Sequence, residues 1–217
     1  MKKILLLSLI SLSIAYSECE GLDWSECMQF YPLYCIWNYD TEECEDNTEG
    51  EVDLGPYTVG ILYESDGLRN GPEYSGATLY YPIDGISPFT SITIVPGWDS
   101  PESSIQDWGA YYASYGIISM TIGTNNPPED MPQDRALALL DAIETIKQEN
   151  ERINSPLIGN IDTTSFAVSG WSMGGGGAQL AAVIDPTLKA AIALCPWLGN
   201  PIQPEDLNHP VPLLIFS

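Results

Sequence analysis

A serine stands between a predicted strand and a predicted helix in the run FAVSGWSMGGGGAQLAAV, residues 166–183. Ser172 is flanked by Gly170 and Gly174 in the spacing G-x-S-x-G, and three more glycines follow. Glycine inside a helix costs about 1 kcal/mol relative to alanine, so four in succession are unfavourable unless something approaches the backbone there. The pentapeptide alone also occurs by chance, but a serine on a turn from strand to helix is typical of an acyl-transfer nucleophile. We therefore predict that Ser172 is catalytic.

An acyl-transfer site also needs backbone N–H groups that stabilise the developing oxyanion. Met173 opens the predicted helix after Ser172, and its N–H is one predicted donor. The second donor is expected in the loop after the third predicted strand, where the run VPGWD places Trp98 next to a glycine turn. The Trp98 indole is predicted to form one wall of the substrate cleft, with a buried core aromatic residue as the alternative.

The base that would activate the serine is not evident in these residues. A serine hydroxyl needs a histidine oriented by a carboxylate, and the chain has one histidine, His209. His209 precedes the last predicted strand, so we expect it at the end of the sheet opposite Ser172 and not as the base. The sequence stops within the apolar run VPLLIFS, and the order nucleophile, acid, histidine places both partners beyond residue 217. We therefore expect these 217 residues alone to be inactive or nearly so.

Strands alternating with helices from about Leu54 onward predict an α/β domain over residues 54–217. The predicted strands are 58–64, 77–81, 90–96, 117–123, 165–170, 190–194 and 211–217. A second predicted helix begins at Pro132, with Asp134 early and Lys147 late, as the helix dipole favours.

The first predicted helix follows Ser103 and Ser104, which are expected to cap it. Its larger apolar residues are predicted to lie near one face: Ile105, Trp108, Tyr111, Tyr112 and Tyr115.

Residues 1–17 have the pattern of a secretion signal peptide. Lys2 and Lys3 precede an apolar run, and Ala15 and Ser17 are small residues at the positions that a signal peptidase reads. The apolar run is well short of the roughly 20 residues that span a bilayer, which disfavours a membrane anchor. We predict a secreted or periplasmic bacterial protein without stable membrane insertion.

Residues 18–53 form an acidic, cysteine-rich segment without Lys or Arg. Its cysteines are Cys19, Cys27, Cys35 and Cys44. Four cysteines in a short exported segment predict two disulfides, in one of three pairings. A zinc site would more usually contain a Cys-x-x-Cys pair, which is absent, so we expect no metal. Whether the segment binds a partner or packs on the main domain stays open.

The charge of the chain bears on its partners. Seven Lys and Arg residues stand against thirty Asp and Glu residues, for a formal net charge of −23. Nucleic acid is excluded as a partner because phosphate binding requires clustered basic side chains. A neutral or apolar substrate meets no such repulsion, and we expect a monomer.

Three motifs carry a family resemblance. The strings VPGW, GWSMGGGG and CPW resemble the PGYTA, G[WH]SMGGGG and APW segments of bacterial cutinases and poly(ethylene terephthalate) hydrolases, the polyesterase branch of the α/β-hydrolases. The similarity extends over nearly all of residues 54–217. It implies the α/β-hydrolase fold, a mostly parallel central sheet with helices on both faces, here incomplete at the C-terminus. It also implies a secreted esterase that needs no cofactor.

The resemblance also implies roles for particular residues. Ser172 looks like the nucleophile, Trp98 and Met173 like the oxyanion donors, and Trp197 is similar to the tryptophan that clamps an aromatic or acyl group of the polymer. Trp98 replaces the usual tyrosine of the family, and Trp171 is a further substrate-binding candidate. Cys195 stands where relatives usually carry a small residue, so we expect a small buried thiol near the cleft.

The sequence thus predicts cleavage of apolar carboxylic esters or polyesters through an acyl-enzyme on Ser172. Two alternatives remain. One is a peptidase or thioesterase on the same fold, and the other is a surface-adhesion protein that uses the cysteine-rich segment.

Overall fold

The computed structural model describes residues 35–38, 41–46, 54–199 and 204–217. The chain divides into two compact units, Met1–Asp53 and Leu54–Ser217. In the first unit, β1 (Cys35–Asn38) pairs antiparallel with β2 (Glu43–Asp46). The predicted signal peptide, Cys19 and Cys27 lie outside the described residues, so the signal peptide and the disulfides stay predictions.

The second unit contains a seven-stranded sheet. Its strands are β3 (Val59–Tyr63), β4 (Ala77–Pro82), β5 (Phe89–Val95), β6 (Ile118–Ile122), β7 (Ile161–Trp171), β8 (Ala190–Leu194) and β9 (Leu213–Phe216). The spatial order is β3-β4-β6-β5-β7-β8-β9. The β3–β4 and β4–β6 pairs are antiparallel and the other four pairs are parallel. The prediction of a mostly parallel sheet built from these seven strands is confirmed.

The central strands read as apolar runs because both of their faces are covered, as parallel sheets require. All five residues of β6 are buried, and so are six of the seven residues of β5. At one edge of the sheet, by contrast, the four residues of β9 are exposed.

Helix α2 (Pro132–Glu149) covers one face of the sheet, as its 3.6-residue periodicity predicts. Pro132 occupies its first turn, and the Asp134 carboxylate accepts a hydrogen bond from the Met131 N–H at 2.8 Å, which satisfies a donor at the helix start. Leu139 and Ile146 are completely buried, and the helix packs against α3 (Met173–Ile184).

Helix α1 (Gln106–Ser114) buries a face of small residues against the sheet, a feature that the sequence analysis did not address. Its buried residues are small, such as Gly109 and Ala113, whereas Trp108 is exposed. A side chain at Gly109 would overlap with the Tyr80 ring, so only small residues fit against the sheet there. Of the aromatic residues, Trp108 and Tyr115 are exposed, whereas Tyr112 packs against the buried cluster of Ile92, Ile94 and Ile105.

The prediction that Ser103 and Ser104 cap the first helix is wrong. Ser103 and Ser104 lie in a 3₁₀ turn, Glu102–Ile105, that precedes α1. The Ser104 hydroxyl donates to the carbonyl oxygen of Pro101 at 2.8 Å, so it supports this turn rather than the N–H groups of the helix.

Parallel strands bring their following loops to one edge of the sheet. β5, β7 and β8 run in the same direction, so the loops after Val95, Trp171 and Leu194 meet at the carboxyl edge. His209 precedes β9, which is parallel to β8, and therefore belongs to the opposite edge, as predicted. Within the described ranges, no helix combines the length and apolar character needed to cross a membrane.

Candidate active site

Ser172 occupies a strained turn between β7 and α3. Its backbone angles are φ 53° and ψ −117°, in a region that side-chain-bearing residues rarely adopt. The turn is held from both sides: the Ser172 N–H donates to Leu194 O at 2.8 Å, and Ser172 O accepts from the N–H groups of Gly176 at 3.1 Å and Trp197 at 2.8 Å. A turn fixed in this way presents its side chain at the carboxyl edge of the sheet.

The glycines after Ser172 lie where other backbone segments approach. A side chain at Gly174 would overlap with the carbonyl oxygen of Val95, at the end of β5. A side chain at Gly176 would overlap with Trp197 O, in the loop after β8. The unfavourable run of glycines therefore lets the start of α3 lie directly between these two loops.

The loop after β5, residues 96–100, places Trp98 beside Ser172. A Cβ atom built on Gly97 would lie 3.2 Å from Ser172 Cβ and 2.8 Å from the Trp171 ring. Trp98 is 59% exposed, so the alternative of a buried core residue is wrong. Its indole N–H donates to Pro128 O at 2.9 Å, which fixes the ring.

Two backbone N–H groups near this turn are free to bind an anion. The Trp98 N–H donates to no acceptor within the described part of the chain. Met173 is the first residue of α3, and the first N–H groups of a helix have no intrahelical acceptor. The positive end of the helix dipole adds to the attraction for an anion at this position.

Three tryptophans surround the serine on an open surface. Trp171 is 46% exposed and Trp197 is 45% exposed, in addition to Trp98. Trp197 is joined to the Ser172 turn by its backbone N–H. Ser172, Met173 and the three tryptophans thus lie at the same edge of the sheet, and the roles predicted for them stay predictions.

Sequence reasoning missed two residues near this site. Met131 is 42% exposed, and a Cβ atom built on Gly199 would lie 3.5 Å from the Met131 Cε and 3.1 Å from the Trp197 ring. Nothing in the sequence indicates this neighbourhood. Arg135 is completely buried and hydrogen bonds to the loop after β5. Its position on the apolar face of α2, four residues before Leu139, is a signal that could have found it.

The predicted burial of Cys195 is wrong. This residue is exposed and has a φ of 44°, in the left-handed region. Its N–H donates to Phe216 O at 2.6 Å and so extends the pairing of β8 with β9 by one residue. The thiol lies past the end of the strand, where the turn takes it out of the sheet core.

The described residues contain no base for the serine. The Ser172 hydroxyl forms no hydrogen bond with any described residue, and His209 belongs to the opposite edge of the sheet. A search of these residues for three or more His, Cys, Asp or Glu side chains that could hold a metal ion found no such group. Among the described residues, the predicted site therefore comprises the proposed nucleophile Ser172, two candidate N–H donors and three exposed tryptophans.

A mostly parallel sheet with a serine on a strained strand-to-helix turn at its carboxyl edge defines the α/β-hydrolase class. Comparison with known proteins narrows this class. A family model described as PETase, PET hydrolase-like, matches residues 45–217. The chain belongs to the PET hydrolase-like family, and the resemblance carried by its three motifs is confirmed.

Several curated relatives are similar to this chain. It is 37% identical to a bis(hydroxyethyl) terephthalate hydrolase from Streptomyces coelicolor, over 73% of this chain and 49% of the relative. It is 35% identical to cutinase 2 from Thermobifida cellulosilytica, over 69% and 55% of the two chains. It is 34% identical to lipase 1 from a Moraxella species, over 67% and 44%. The chain thus spans about half the length of the curated relatives it matches.

Proposed function

We propose that the protein is a serine hydrolase of carboxylic esters. The strained Ser172 turn, with the loop after β5 packed against it, is the observation that carries this proposal. The names of the relatives support the same reaction, since they include a terephthalate ester hydrolase, a cutinase and a lipase.

The reaction proceeds through an acyl-enzyme. The Ser172 hydroxyl attacks the ester carbonyl carbon and loses its proton to a base, and the carbonyl oxygen becomes an oxyanion held by the N–H groups of Trp98 and Met173. The tetrahedral intermediate then expels the alcohol, which takes up that proton, and leaves the acyl group on Ser172. Water hydrolyses this acyl ester and regenerates the serine.

The proposed substrate is an apolar ester, with polyesters included. Trp98, Trp171 and Trp197 are each about half exposed, so they offer flat apolar contacts along an open surface that a polymer chain can follow. The net charge of −23 disfavours polyanions and leaves neutral esters unaffected.

We also propose that the protein is exported as a monomer and contains disulfides in residues 18–53. The proposal of export is supported by the basic and apolar pattern of residues 1–17. Sequencing the N-terminus of protein recovered outside the cytoplasm tests it, and an intact Met1 would contradict cleavage.

Replacement of the nucleophile is the central test. In protein expressed from the whole gene, Ser172→Ala is expected to lower kcat for p-nitrophenyl butyrate by ~10⁴-fold or more, because the covalent step is lost. Ser103→Ala, an exposed serine in the turn before α1, is the matched control and should keep the wild-type rate. Ester hydrolysis that survives in Ser172→Ala would contradict the proposal.

Two comparisons refine the same test. Rates on ester, thioester and amide substrates with one acyl group separate an esterase from a thioesterase or peptidase, and we expect the ester and its polymers to be preferred. Residues 1–217 alone are expected to hydrolyse the ester far more slowly than a complete triad, because their one histidine lies at the wrong edge of the sheet. A Ser172-dependent rate equal to that of the whole-gene protein would contradict this expectation.

A further inference from the structure

Arg135 is a buried cation without a carboxylate partner. The residue is 0% exposed, and its guanidinium forms no ion pair with any residue in the described ranges. Asp130 and Asp134 attract it only from beyond ion-pair distance, and removing a charge from water without a direct partner is unfavourable. Burial lowers the pKa of Arg135, but the group stays protonated because a guanidinium loses its proton only at very high pH. The burial of this charged guanidinium therefore suggests that Arg135 has a specific role.

Backbone carbonyl groups replace the missing carboxylate. Within the loop after β5, Arg135 Nε donates to Pro96 O at 3.2 Å and Nη2 donates to Gly97 O at 2.8 Å. In the segment before α2, Nη2 also donates to Pro127 O at 3.2 Å, and Nη1 donates to Asp130 O. One side chain therefore ties two loops together at the carboxyl edge of the sheet.

Other bonds join the same two loops near the surface. The Asp99 N–H donates to Pro127 O at 3.1 Å, and the Trp98 indole donates to Pro128 O. Arg135 thus forms the buried half of a brace whose exposed half is the Trp98 side chain. The loop after β5, which carries the proposed oxyanion donor Trp98, is therefore held both in the interior and at the surface.

The bond to Gly97 O fixes one particular peptide group. The Gly97–Trp98 bond is trans, so its C=O and N–H point in opposite directions. Because the oxygen points to Arg135, the Trp98 N–H points away from α2. Gly97 also contacts the Ser172 turn, so this peptide group lies between the guanidinium and the nucleophile.

We infer that Arg135 is a positioning residue for ester hydrolysis, which acts by holding the Gly97–Trp98 peptide with its N–H directed at the oxyanion. This inference rests on the proposed function of Ser172. A charged donor on the carbonyl oxygen also draws electron density from the amide, which makes the Trp98 N–H a stronger donor. The donor is therefore both oriented and strengthened before the substrate arrives.

The last glycine of the run after Ser172 has a place in this arrangement. A Cβ atom built on Gly177 would lie 2.7 Å from Arg135 Cβ and 3.2 Å from its carbonyl carbon. Gly177 therefore lets α2 approach α3 at the residue from which the guanidinium reaches the loop. The serine motif and the arginine are thereby linked through packing.

The test compares two arginines in protein expressed from the whole gene. Arg135→Met removes the charge and the four bonds but keeps an unbranched side chain. Arg69→Met is the matched control, because Arg69 also ties a loop to α2 but lies outside the proposed site. For each variant, kcat and KM for p-nitrophenyl butyrate, the melting temperature and the affinity for a phenylboronic acid are measured. A boronic acid forms a tetrahedral adduct with the serine and mimics the oxyanion.

We expect Arg135→Met to lower kcat by about 10- to 100-fold, which is less than the loss of a whole oxyanion donor. Boronate affinity should fall by a similar factor and KM should change by less than about threefold, because the lost interaction acts on the transition state. Arg69→Met should lower the melting temperature and leave kcat within about twofold of wild type.

Any other result from a folded Arg135→Met variant overturns the inference. A kcat or boronate affinity for Arg135→Met equal to that of Arg69→Met would show that Arg135 orients nothing. If Arg135→Met does not fold, Arg135→Lys replaces it and should give a kcat between wild type and the expected loss, since one ammonium cannot hold four carbonyls. Failure of both to fold while Arg69→Met folds would assign Arg135 to folding alone. Failure of the proposed function is separate, since it appears as wild-type hydrolysis that does not depend on Ser172.

Discussion

Two arginines fasten two loops to α2 in opposite ways. Arg69 reaches from its loop to the helix, where it pairs with the Asp141 carboxylate at 2.7 Å and donates to Thr145 Oγ1 at 2.7 Å. Arg135 reaches from the helix to the loop after β5 and to the segment before α2, and its hydrogen bonds within the described ranges all go to carbonyl oxygens. The Arg69 side chain keeps 29% of its surface in water, whereas Arg135 has none.

The difference lies in what happens to the positive charge. A carboxylate neutralises Arg69, so that pair gives stability and orientation without a lasting field. Carbonyl dipoles satisfy the hydrogen bonds of Arg135, and Asp130 and Asp134 offset its charge only from a greater distance. Part of the positive field therefore remains behind the peptide that faces Ser172. A fastening that serves stability and one proposed to serve catalysis can therefore use the same residue type against the same helix.

The largest expected effect on stability comes from breaking the neutralised pair. Asp141 is only 11% exposed and accepts from both Arg69 and the Glu73 N–H. In Asp141→Asn one of these donors faces an amide N–H instead of an oxygen, so we expect a loss of about 2 to 3 kcal/mol in the free energy of unfolding. Urea unfolding measures this loss. The ester kcat should stay at the wild-type value, and a fall in kcat without a fall in stability would erase the distinction between the two arginines.

A half-buried carboxylate, Asp107, extends the comparison, because it can lose its charge where Arg135 cannot. Burial raises the pKa of Asp107, near the start of α1, from its ordinary value of 3.8 to about 6. Between these pH values the folded protein holds a proton that the unfolded chain has released, so the free energy of unfolding falls as pH rises from about 4 to about 6. Two pH units correspond to about 3 kcal/mol, and remaining contact with water reduces the expected fall to about 1 to 2 kcal/mol.

Asp107→Asn should remove this pH dependence, since the amide does not titrate. Urea unfolding of both proteins at pH 4, 5, 6 and 7 measures the free energy of unfolding. The free energy of unfolding of the variant should rise relative to that of the wild type as pH rises. If the free energies of unfolding of the two proteins change in parallel with pH over this range, Asp107 is not desolvated. The loss of a negative charge in the first turn of α1 lowers stability by a few tenths of a kcal/mol at neutral pH, which is too little to hide the trend.

Much of this fold was predictable because its signals are local. All seven strands of the sheet and the start of α2 at Pro132 follow from apolar runs and from one proline. The Ser172 turn was predictable for the same reason, since its glycines surround it in sequence. The inner face of α1 was not, because it depends on the Tyr80 ring, which is distant in the chain.

The neighbours of the site were harder to predict than the site itself. Met131 and Arg135 approach it only through the packing of α2 against α3. The exposure of Cys195 depends on a left-handed turn after β8, and Cys195 itself, rather than a glycine, occupies the left-handed position. The helical periodicity of α2 does place Arg135 on its apolar face, but what each of these residues contacts depends on other segments and is encoded in no local pattern.

The smallest expected effect comes from an exposed ion pair on the same helix. Lys147 Nζ lies 2.6 Å from the Glu144 carboxylate, but the two side chains are 38% and 57% exposed. Water screens such a pair, and Lys147 also lies 5.3 Å from the centre of the Phe166 ring, a contact that it keeps without Glu144. Glu144→Gln should therefore lower the free energy of unfolding by no more than about 0.5 kcal/mol in dilute buffer and by less in 1 M salt. Because Glu144→Gln is also the exposed control for Asp141→Asn, equal losses in the two variants would show that burial does not set the strength of these charge contacts.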